Sequence, residues 1–335
     1  MCNTSNFFLN KYAAHKPCTC GVCVCELCKD RSLLFPPHRF NKLVTYPQWV
    51  VGTEEKTRRN GTTVMVKVTQ KETIESTVKQ LIDKFNDMLK KFKQHLFNIR
   101  HQFEQYRYAK TNLCCNERII HVDFNENFSC KYLAEIQSVH FGSSHRQVTL
   151  HNGVFYVMKN QSLCDTCFCT ISDCKEHEPF AIWSYMDPVL KLIRKRNPPI
   201  DTVHFFSVSP ATQYRQKLNF YLLSTLVHTY GFQHATWNFS EAGHRKGAAD
   251  GVGGALKRTA DRLISLHYDI STPRLMYEAL TQQESSIYVS EQDVHSTSVE
   301  VSNLSAIPGT MNIHQIILLA SEPGSFLQGC KLFLC

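Results

Sequence analysis

An aspartate interrupts an apolar run near the middle of the chain. Residues 119–124 read Ile-Ile-His-Val-Asp-Phe, and their β-branched and aromatic side chains are typical of a buried strand. A carboxylate in such a strand is costly to bury unless it is hydrogen-bonded, paired with a charge or bound to a metal ion. Asp123 is therefore either a cap for the next turn or an acid at a functional site.

A second acid lies in a glycine-rich stretch much later in the chain. Residues 244–254 read His-Arg-Lys-Gly-Ala-Ala-Asp-Gly-Val-Gly-Gly, and Asp250 precedes a helix predicted over 255–266. Carboxylates are the usual protein ligands of Mg²⁺ and Mn²⁺. Two such ions about 3.5–4 Å apart can activate a water or a 3′-hydroxyl. We expect Asp123 and Asp250 to bind Mg²⁺ or Mn²⁺ if the chain folds so that they meet.

Cysteines form two clusters with the potential to bind zinc. The chain has 15 cysteines, and it lacks a signal-peptide core and any apolar run of about 18 residues. We therefore predict a nuclear or cytoplasmic protein without a membrane segment, in which clustered thiols are metal ligands or free thiols. The first cluster has two closely spaced Cys-x2-Cys pairs, and the second falls partly on a predicted strand. The clusters are Cys18, Cys20, Cys23, Cys25 and Cys28, and Cys164, Cys167 and Cys169.

The charge distribution favours a phosphate-rich partner. The net charge is +8, and residues 1–274 carry 36 basic against 23 acidic side chains. Basic charge over the body with an acidic tail is typical of proteins that contact nucleic acid. We therefore expect DNA as a partner.

The first half of the chain contains a long amphipathic helix. A short strand is predicted over 62–68, a capping box at 69–72, and a helix over 71–108 with a nearly coiled-coil apolar stripe. This helix either forms a homodimer, which we favour, or packs along the following domain. The polar segment 52–61 is interpreted as a loop, and His-Asn-Gly at 151–153 as a kink or turn.

The order of the later elements predicts an α/β fold with a mixed sheet flanked by helices. Three strands are followed by helix, strand, helix, strand and helix, which is the ribonuclease H-like arrangement, and there acids from the first strand, the fourth strand and a late helix share one metal site. We divide the chain into a Cys-rich segment (1–60), a strand and long helix (61–110), a ribonuclease H-like domain (115–285) and a small C-terminal β appendage (286–335).

Several spaced motifs resemble a family of eukaryotic transposase-like proteins with a ribonuclease H-like, DDE-type fold. They span roughly residues 45–330. The motifs are His-Val-Asp-Phe-Asn-Glu-Asn-Phe-Ser-Cys-Lys-Tyr at 121–132, Glu-Ile-Gln-Ser-Val-His-Phe-Gly at 135–142, Val-Thr-Leu-His-Asn-Gly at 148–153, Gln-Tyr-Arg-Gln-Lys at 213–217 and His-Arg-Lys-Gly-Ala-Ala-Asp-Gly-Val-Gly-Gly-Ala-Leu-Lys-Arg at 244–258.

The resemblance implies roles for individual residues. Asp123 would be the first metal-binding acid and Asp250 the third. The second acid, which follows Phe-Ser in the family, is replaced by Val208. The resemblance and the charge pattern name further candidates. Alternative site residues are Glu126, Glu241, His244 and Lys246, and the expected DNA contacts are Arg215, Lys217, Arg245, Lys246, Lys257 and Arg258.

Three functions are therefore open. The first is a transposon-derived protein that binds DNA but has lost strand transfer. The second is an active metal-dependent transposase or nuclease with a substitute ligand. The third is a zinc-stapled protein-interaction module. We favour the first because Val208 offers no lone pair to a metal ion.

Overall fold

The computed structural model describes residues 35–58, 61–137, 145–196, 200–208, 210, 212–241, 247–294, 304–318 and 333–334. The chain divides into two compact units, Met1–His101 and Gln102–Cys335. Within the described residues, no helix combines the length and the apolar character needed to cross a membrane. The first predicted cysteine cluster, 18–28, lies outside the described residues.

The first unit contains a two-stranded antiparallel ladder and the start of the long helix. Strand β1 (Leu43–Thr57) pairs along its whole length with β2 (Thr63–Thr77), and helix α1 (Val78–Thr111) follows at once. The predicted loop at 52–61 is wrong for its first part, because Gly52 pairs with Val68 inside the ladder. Alternation of half-buried and exposed residues continues through β2, so period-two patterning overrides the helical signal there.

The capping box lies later than predicted. The amide of Thr77 donates to Gln80 Oε1 at 2.9 Å, and the amide of Gln80 donates to Thr77 Oγ1 at 3.3 Å. These reciprocal bonds satisfy two amides that the first turn of α1 cannot pair internally. The predicted start at residue 71 is therefore wrong. The apolar stripe is partly exposed, with 62% of Met88 and 41% of Phe103 accessible. The homodimer through 71–108 stays a prediction.

The second unit is a mixed sheet between two layers of helices. Its elements in chain order are β3 (Glu117–Phe124), β4 (Phe128–Ser129), β5 (Gln147–Lys159), β6 (Ser162–Ser172), α2 (Pro179–Arg196), β7 (Thr202–Ser207), α3 (Lys217–Thr229), β8 (His234–Phe239), α4 (Ala248–Ser265), α5 (Pro273–Thr281), β9 (Tyr288–Glu291), β10 (Gln315–Leu318) and β11 (Phe333–Leu334). The sheet order is β11-β10-β8-β7-β3-β5-β6-β9, and β4 pairs with β5. The predicted fold class is confirmed at this level.

Strand directions divide the sheet into two halves around β3. Strands β3, β5 and β6 form an antiparallel meander, whereas β7 and β8 run parallel to β3. Strands β9 and β10 extend the two edges by pairing with β6 and β8. The residues described between 286 and 335 therefore join the main sheet, and the prediction of a separate β appendage is wrong for them.

Two apolar cores sandwich the sheet. On one face, α2 and α3 pack against alternate residues of the central strands, including Ile120, Val122 and Phe205. On the other face, α4 and α5 pack against Ile119, Leu150 and Cys169. Because side chains alternate along a strand, residues 119, 121 and 123 of β3 point toward the layer of α4. The sheet thus presents Asp123 to the helix that carries Asp250.

Strand β5 runs straight through the residues interpreted as a turn. His151, Asn152 and Gly153 all pair with β3 and β6. A Cβ on Gly153 would lie 2.3 Å from Phe168 Cζ and 2.5 Å from the carbonyl oxygen of His121. Glycine is therefore required there for close packing of neighbouring strands rather than for a bend. The actual turn is at Asn160 and Gln161, which have φ values of 48° and 63°.

Candidate functional site

Asp123 lies at the end of the central strand, where its carboxylate is largely removed from water. It is the penultimate residue of β3, and its Cα pairs with that of Asn152 on β5. Burial and, to a smaller extent, the negative charge of Asp250 together raise the pKa of Asp123 to about 7. The turn-cap interpretation alone does not explain a carboxyl in this environment.

Asp250 lies in the first turn of α4 and faces Asp123 closely enough to perturb its ionisation. Its Oδ2 accepts a hydrogen bond of 2.9 Å from the amide of Gly247, which stabilises the helix start. The helix predicted from residue 255 begins at Ala248, so Asp250 is helical rather than part of the preceding loop. The two acids predicted from the sequence therefore come together.

Val208 is the residue beside Asp123 on the next strand. The last pair of the parallel ladder joins Val122 to Ser207, so Asp123 and Val208 are the following residues on β3 and β7. The side chain of Val208 packs against the apolar core on the face of α2 and α3. The hydroxyl of Ser207 does not replace the acid, because it donates to the Val208 carbonyl and accepts from Trp237 Nε1, both at 2.9 Å.

Asn152 is a site residue that the sequence analysis missed. It is 1% exposed, lies directly across from Asp123, and its Oδ1 is buried without a hydrogen-bond partner. A Cβ built on Gly253, one turn after Asp250, would lie 2.5 Å from Asn152 Nδ2, so α4 lies close to this side chain. The signal that could have found Asn152 is the strand register, which the turn interpretation concealed.

The donor set fits Mg²⁺ or Mn²⁺ in chemical kind. Asp123 and Asp250 offer carboxylate oxygens, and Asn152 offers an unpaired carboxamide oxygen, all of which are hard ligands. No cluster of three or more His, Cys, Asp or Glu side chains suited to a metal ion occurs within the described residues. In the part of the chain that the structure describes, no third acidic side chain joins Asp123 and Asp250.

Comparison with known proteins identifies the domain that carries this site. A family model described as a domain of unknown function (DUF8701) matches residues 102–323. The chain belongs to the DUF8701 family. No curated protein and no solved structure matches the chain. The DUF8701 domain contains Asp123, Asn152, Val208 and Asp250, so the whole candidate site belongs to it.

The two alternative acids of the DUF8701 domain lie in different surroundings. The Glu126 side chain is 94% exposed and its Oε2 lies 4.0 Å from Lys257 Nζ. The Glu241 amide donates to Gln102 Oε1 at 2.8 Å. Burial lowers the pKa of Arg215 and of His314, and the Glu241 carboxylate partly offsets this lowering. Glu126 is thus solvated, and Glu241 belongs to a separate polar cluster.

The predicted DNA-contacting residues differ in accessibility. Arg215 is buried, its guanidinium donates to the Met311 carbonyl, and it lies 5.6 Å from the ring centroid of Phe239. The Arg215 side chain is therefore turned away from solvent in this conformation, and its role in DNA contact stays a prediction. Lys217 and Arg258 are exposed and Lys257 is half-buried. His244, Arg245 and Lys246 lie outside the described residues.

The second cysteine cluster does not converge. Cys167 and Cys169 pack toward the core that faces α4. Cys164 lies an odd number of residues before both of them on β6, so its side chain points to the opposite face. Burial strongly raises the pKa of the Cys169 thiol, which opposes formation of the thiolate that zinc binds. The structure therefore lends no support to a zinc site formed by Cys164, Cys167 and Cys169, and that site stays a prediction.

A buried aromatic and imidazole cluster supports the strand end from the other face. The Nε2 of His151 lies 3.0 Å from the Tyr214 hydroxyl, and the His177 ring stacks on Phe124 with centroids 4.0 Å apart. Burial, with a smaller effect of His177, lowers the pKa of His151 to about 3. His151 is therefore neutral at ordinary pH and acts as a packing residue behind Asp123.

Proposed function

We propose that the chain is a transposase-like, transposon-derived protein that binds DNA in the nucleus through a ribonuclease H-like domain with a degenerate catalytic site. The observation that carries this proposal is the pairing of Asp123 with Asp250 beside a strand end occupied by Val208. Two members of an acidic triad are together, and the third position holds an apolar side chain.

The sheet topology supports the fold part of the proposal. A three-stranded antiparallel meander of β3, β5 and β6 is followed by parallel strands β7 and β8, in the spatial order β6-β5-β3-β7-β8. Helices follow β6, β7 and β8. The element order agrees with the ribonuclease H-like arrangement expected from the sequence. Strand β3, which carries Asp123, lies between β5 and β7.

The ligand count argues against catalysis. Two divalent cations close together repel one another and need a bridging acid and enough anionic oxygen to hold them. Asp123 and Asp250 supply two carboxylates, and neither Val208 nor the hydrogen-bonded Ser207 supplies a third. Without the second ion, several kcal/mol of transition-state stabilisation are lost, which corresponds to orders of magnitude in rate.

A cleavage and strand-transfer assay tests the loss of activity. Wild type, Val208→Asp and the double variant Val208→Asp with Asp123→Asn are compared on duplex DNA in Mg²⁺ and in Mn²⁺. We expect no product from wild type. Product from Val208→Asp that disappears in the double variant would identify the lost acid as the lesion. Wild-type product that disappears in Asp123→Asn would refute the proposal in favour of an active transposase or nuclease.

A salt titration tests DNA binding. If six or more phosphates are contacted, affinity should fall by about 10³-fold or more between 50 and 200 mM salt. Replacing both Lys257 and Arg258 by Ala should lower the slope of log affinity against log salt by roughly 2. Arg274→Ala is the matched control, because the Arg274 guanidinium is already paired with Glu278 and Glu291. Binding that is absent at low salt would refute DNA as the partner.

A further inference from the structure

We propose that Asn152 is the third protein ligand of a single divalent cation held by Asp123 and Asp250. This inference rests on the proposed function for the identity of the acid pair. It assigns a binding role to an uncharged residue of β5, which is not among the acids that the sequence predicts for the site.

The strand register brings the Asn152 side chain to the acids. Asn152 and Asp123 are direct cross-strand partners, and such partners have Cβ atoms about 4.5–5.5 Å apart and side chains on the same face. Neighbours of Asn152 at even positions of β5, Leu150 and Val154, both pack in the core that faces α4. Asn152 therefore points to the helix layer that contains Asp250.

Helix α4 closes the third side of this site. Asp250 and Gly253 are three residues apart and share one face of the helix. The absence of a side chain at Gly253 lets α4 approach the amide group of Asn152, which a Cβ would meet at 2.5 Å. The Asn152 side chain thus lies against the first two turns of α4, which begin with the turn that contains Asp250.

The unpaired Oδ1 atom of Asn152 indicates that a ligand binds where these three side chains meet. A buried carboxamide oxygen without a hydrogen bond has lost its contacts with water and gained none in return, so native proteins rarely leave one unsatisfied. Asn152 Oδ1 has no hydrogen-bond partner among the described residues, and one of its two cross-strand partners is Asp123, whose carboxylate also accepts. A cation satisfies the carboxamide oxygen and both carboxylates at once.

The same ligand set limits the site to one ion. Two carboxylates and a neutral amide oxygen carry two negative charges, which balance one Mg²⁺ or Mn²⁺. The residue that follows β7, Val208, adds no oxygen ligand from its side chain. We therefore expect a stoichiometry of one ion at this site, with water completing its coordination.

Binding of Mn²⁺ to the full chain tests the assignment. Free Mn²⁺ is measured by electron paramagnetic resonance in wild type, Asn152→Ala, Asn152→Asp and Asp123→Asn. Asn127→Ala is the matched control, because Asn127 also has a buried Oδ1 without a partner but lies between β3 and β4, outside the strand pairing that joins Asn152 to Asp123. Thermal unfolding in EDTA verifies that each variant is folded.

We expect one Mn²⁺ whose binding is lost in Asp123→Asn. Asn152→Ala should weaken it by about 10-fold or more, whereas Asn152→Asp, which keeps an oxygen in place, should bind at least as tightly as wild type. Asn127→Ala should bind as wild type does. If Asn152→Ala does not fold, Asn152→Asp decides the test, and loss of binding in that variant overturns the inference.

Equal affinities of wild type and folded Asn152→Ala would also overturn it, as would the absence of wild-type binding in the millimolar range. DNA binding is measured separately in EDTA, so that the two proposals fail independently. Loss of DNA binding with an intact Mn²⁺ site would refute the proposed function alone. DNA binding without an Asn152-dependent Mn²⁺ site would refute this inference alone.

Discussion

Two adjacent strand ends in this protein have opposite characters. Asp123 follows Val122 at the end of β3, and Val208 follows Ser207 at the end of the parallel strand β7. Burial and the nearby Asp250 raise the pKa of Asp123 and so disfavour its ionised form. Val208, in contrast, packs against the apolar core. One strand end therefore holds an unfavourable acid while the residue beside it packs against the core.

The contrast between Asp123 and Val208 indicates that packing at this edge of the sheet is compatible with both an acidic and an apolar residue. An acid that is destabilised by burial contributes nothing to folding, so its presence calls for a functional or historical reason. Val208 needs no such reason, because it gains apolar contacts. Each of the following experiments changes one side of this contrast.

The largest expected effect is a stabilisation by Asp123→Asn at high pH. The folded-state pKa of about 7 exceeds the ordinary value of 3.8, so the folded protein binds the proton more tightly and loses stability as the pH rises from about 4 to 7. In EDTA, Asp123→Asn should raise the free energy of unfolding by roughly 2–4 kcal/mol at pH 8. The difference should vanish near pH 4. A constant difference across this range would contradict the assigned cause.

Val208→Asp should convert the apolar strand end into an acidic one and destabilise the fold. Without metal, the new carboxylate loses the core contacts of Val208 and repels Asp123, at a cost of about 1–3 kcal/mol. Mg²⁺ should recover part of this loss in chemical denaturation. Val208→Asn is the control, and it should show a smaller response to Mg²⁺. Equal responses of the two variants would mean that residue 208 does not reach the acids.

Gly253→Ala should disturb the acidic side alone. A methyl group there would lie 1.6 Å from Asn125 Nδ2 and 2.5 Å from Asn152 Nδ2, so α4 or these amides must shift at a cost of about 1–3 kcal/mol. The neighbouring Gly251→Ala meets nothing within 4 Å and should be neutral or stabilising by up to about 1 kcal/mol. The measurement is the urea concentration at the midpoint of unfolding, which should be lower for Gly253→Ala than for Gly251→Ala. The reverse order would contradict the close approach of α4 to Asn125 and Asn152.

The smallest effect is expected for Ser207→Ala on the apolar side. Loss of the hydroxyl leaves Trp237 Nε1 without its acceptor and should cost about 1–2 kcal/mol. Mn²⁺ affinity should not change, because the Ser207 hydroxyl is engaged with Trp237 and with the Val208 carbonyl. A parallel drop in Mn²⁺ affinity would reveal Ser207 as a substitute ligand.

The sequence predicts the elements whose patterns are local. The strand that carries Asp123, which the sequence predicts over 119–124, agrees closely with β3. The long hairpin was missed because polar residues of β1 and β2 resemble a loop and a helix start until their pairing is known. Tertiary contacts determine the secondary structure of these segments, and the spacing of apolar residues alone does not reveal it.

Convergence of side chains was predictable only in part. Asp123 and Asp250 stand out because a carboxylate is rare in a buried strand and because glycines surround the second acid. Asn152 and Gly253 depend on cross-strand register and on helix approach, which are properties of distant segments. Arg215 and Cys169 were assigned to binding by their chemistry, yet both are buried, and burial of an individual residue requires the assembled fold.

The hydrogen bond from the Gly247 amide to Asp250 has a consequence for how such a protein changes over generations. Asp250 both faces the site and caps its own helix, and loss of a cap typically costs about 0.5–2 kcal/mol. An acid with a second, structural task is retained by selection for stability after selection for chemistry has ended. An acid whose sole task was to hold a metal ion would have no such protection. Under the proposed function, retention of Asp250 would therefore report on folding, and only an acid at position 208 would report on activity.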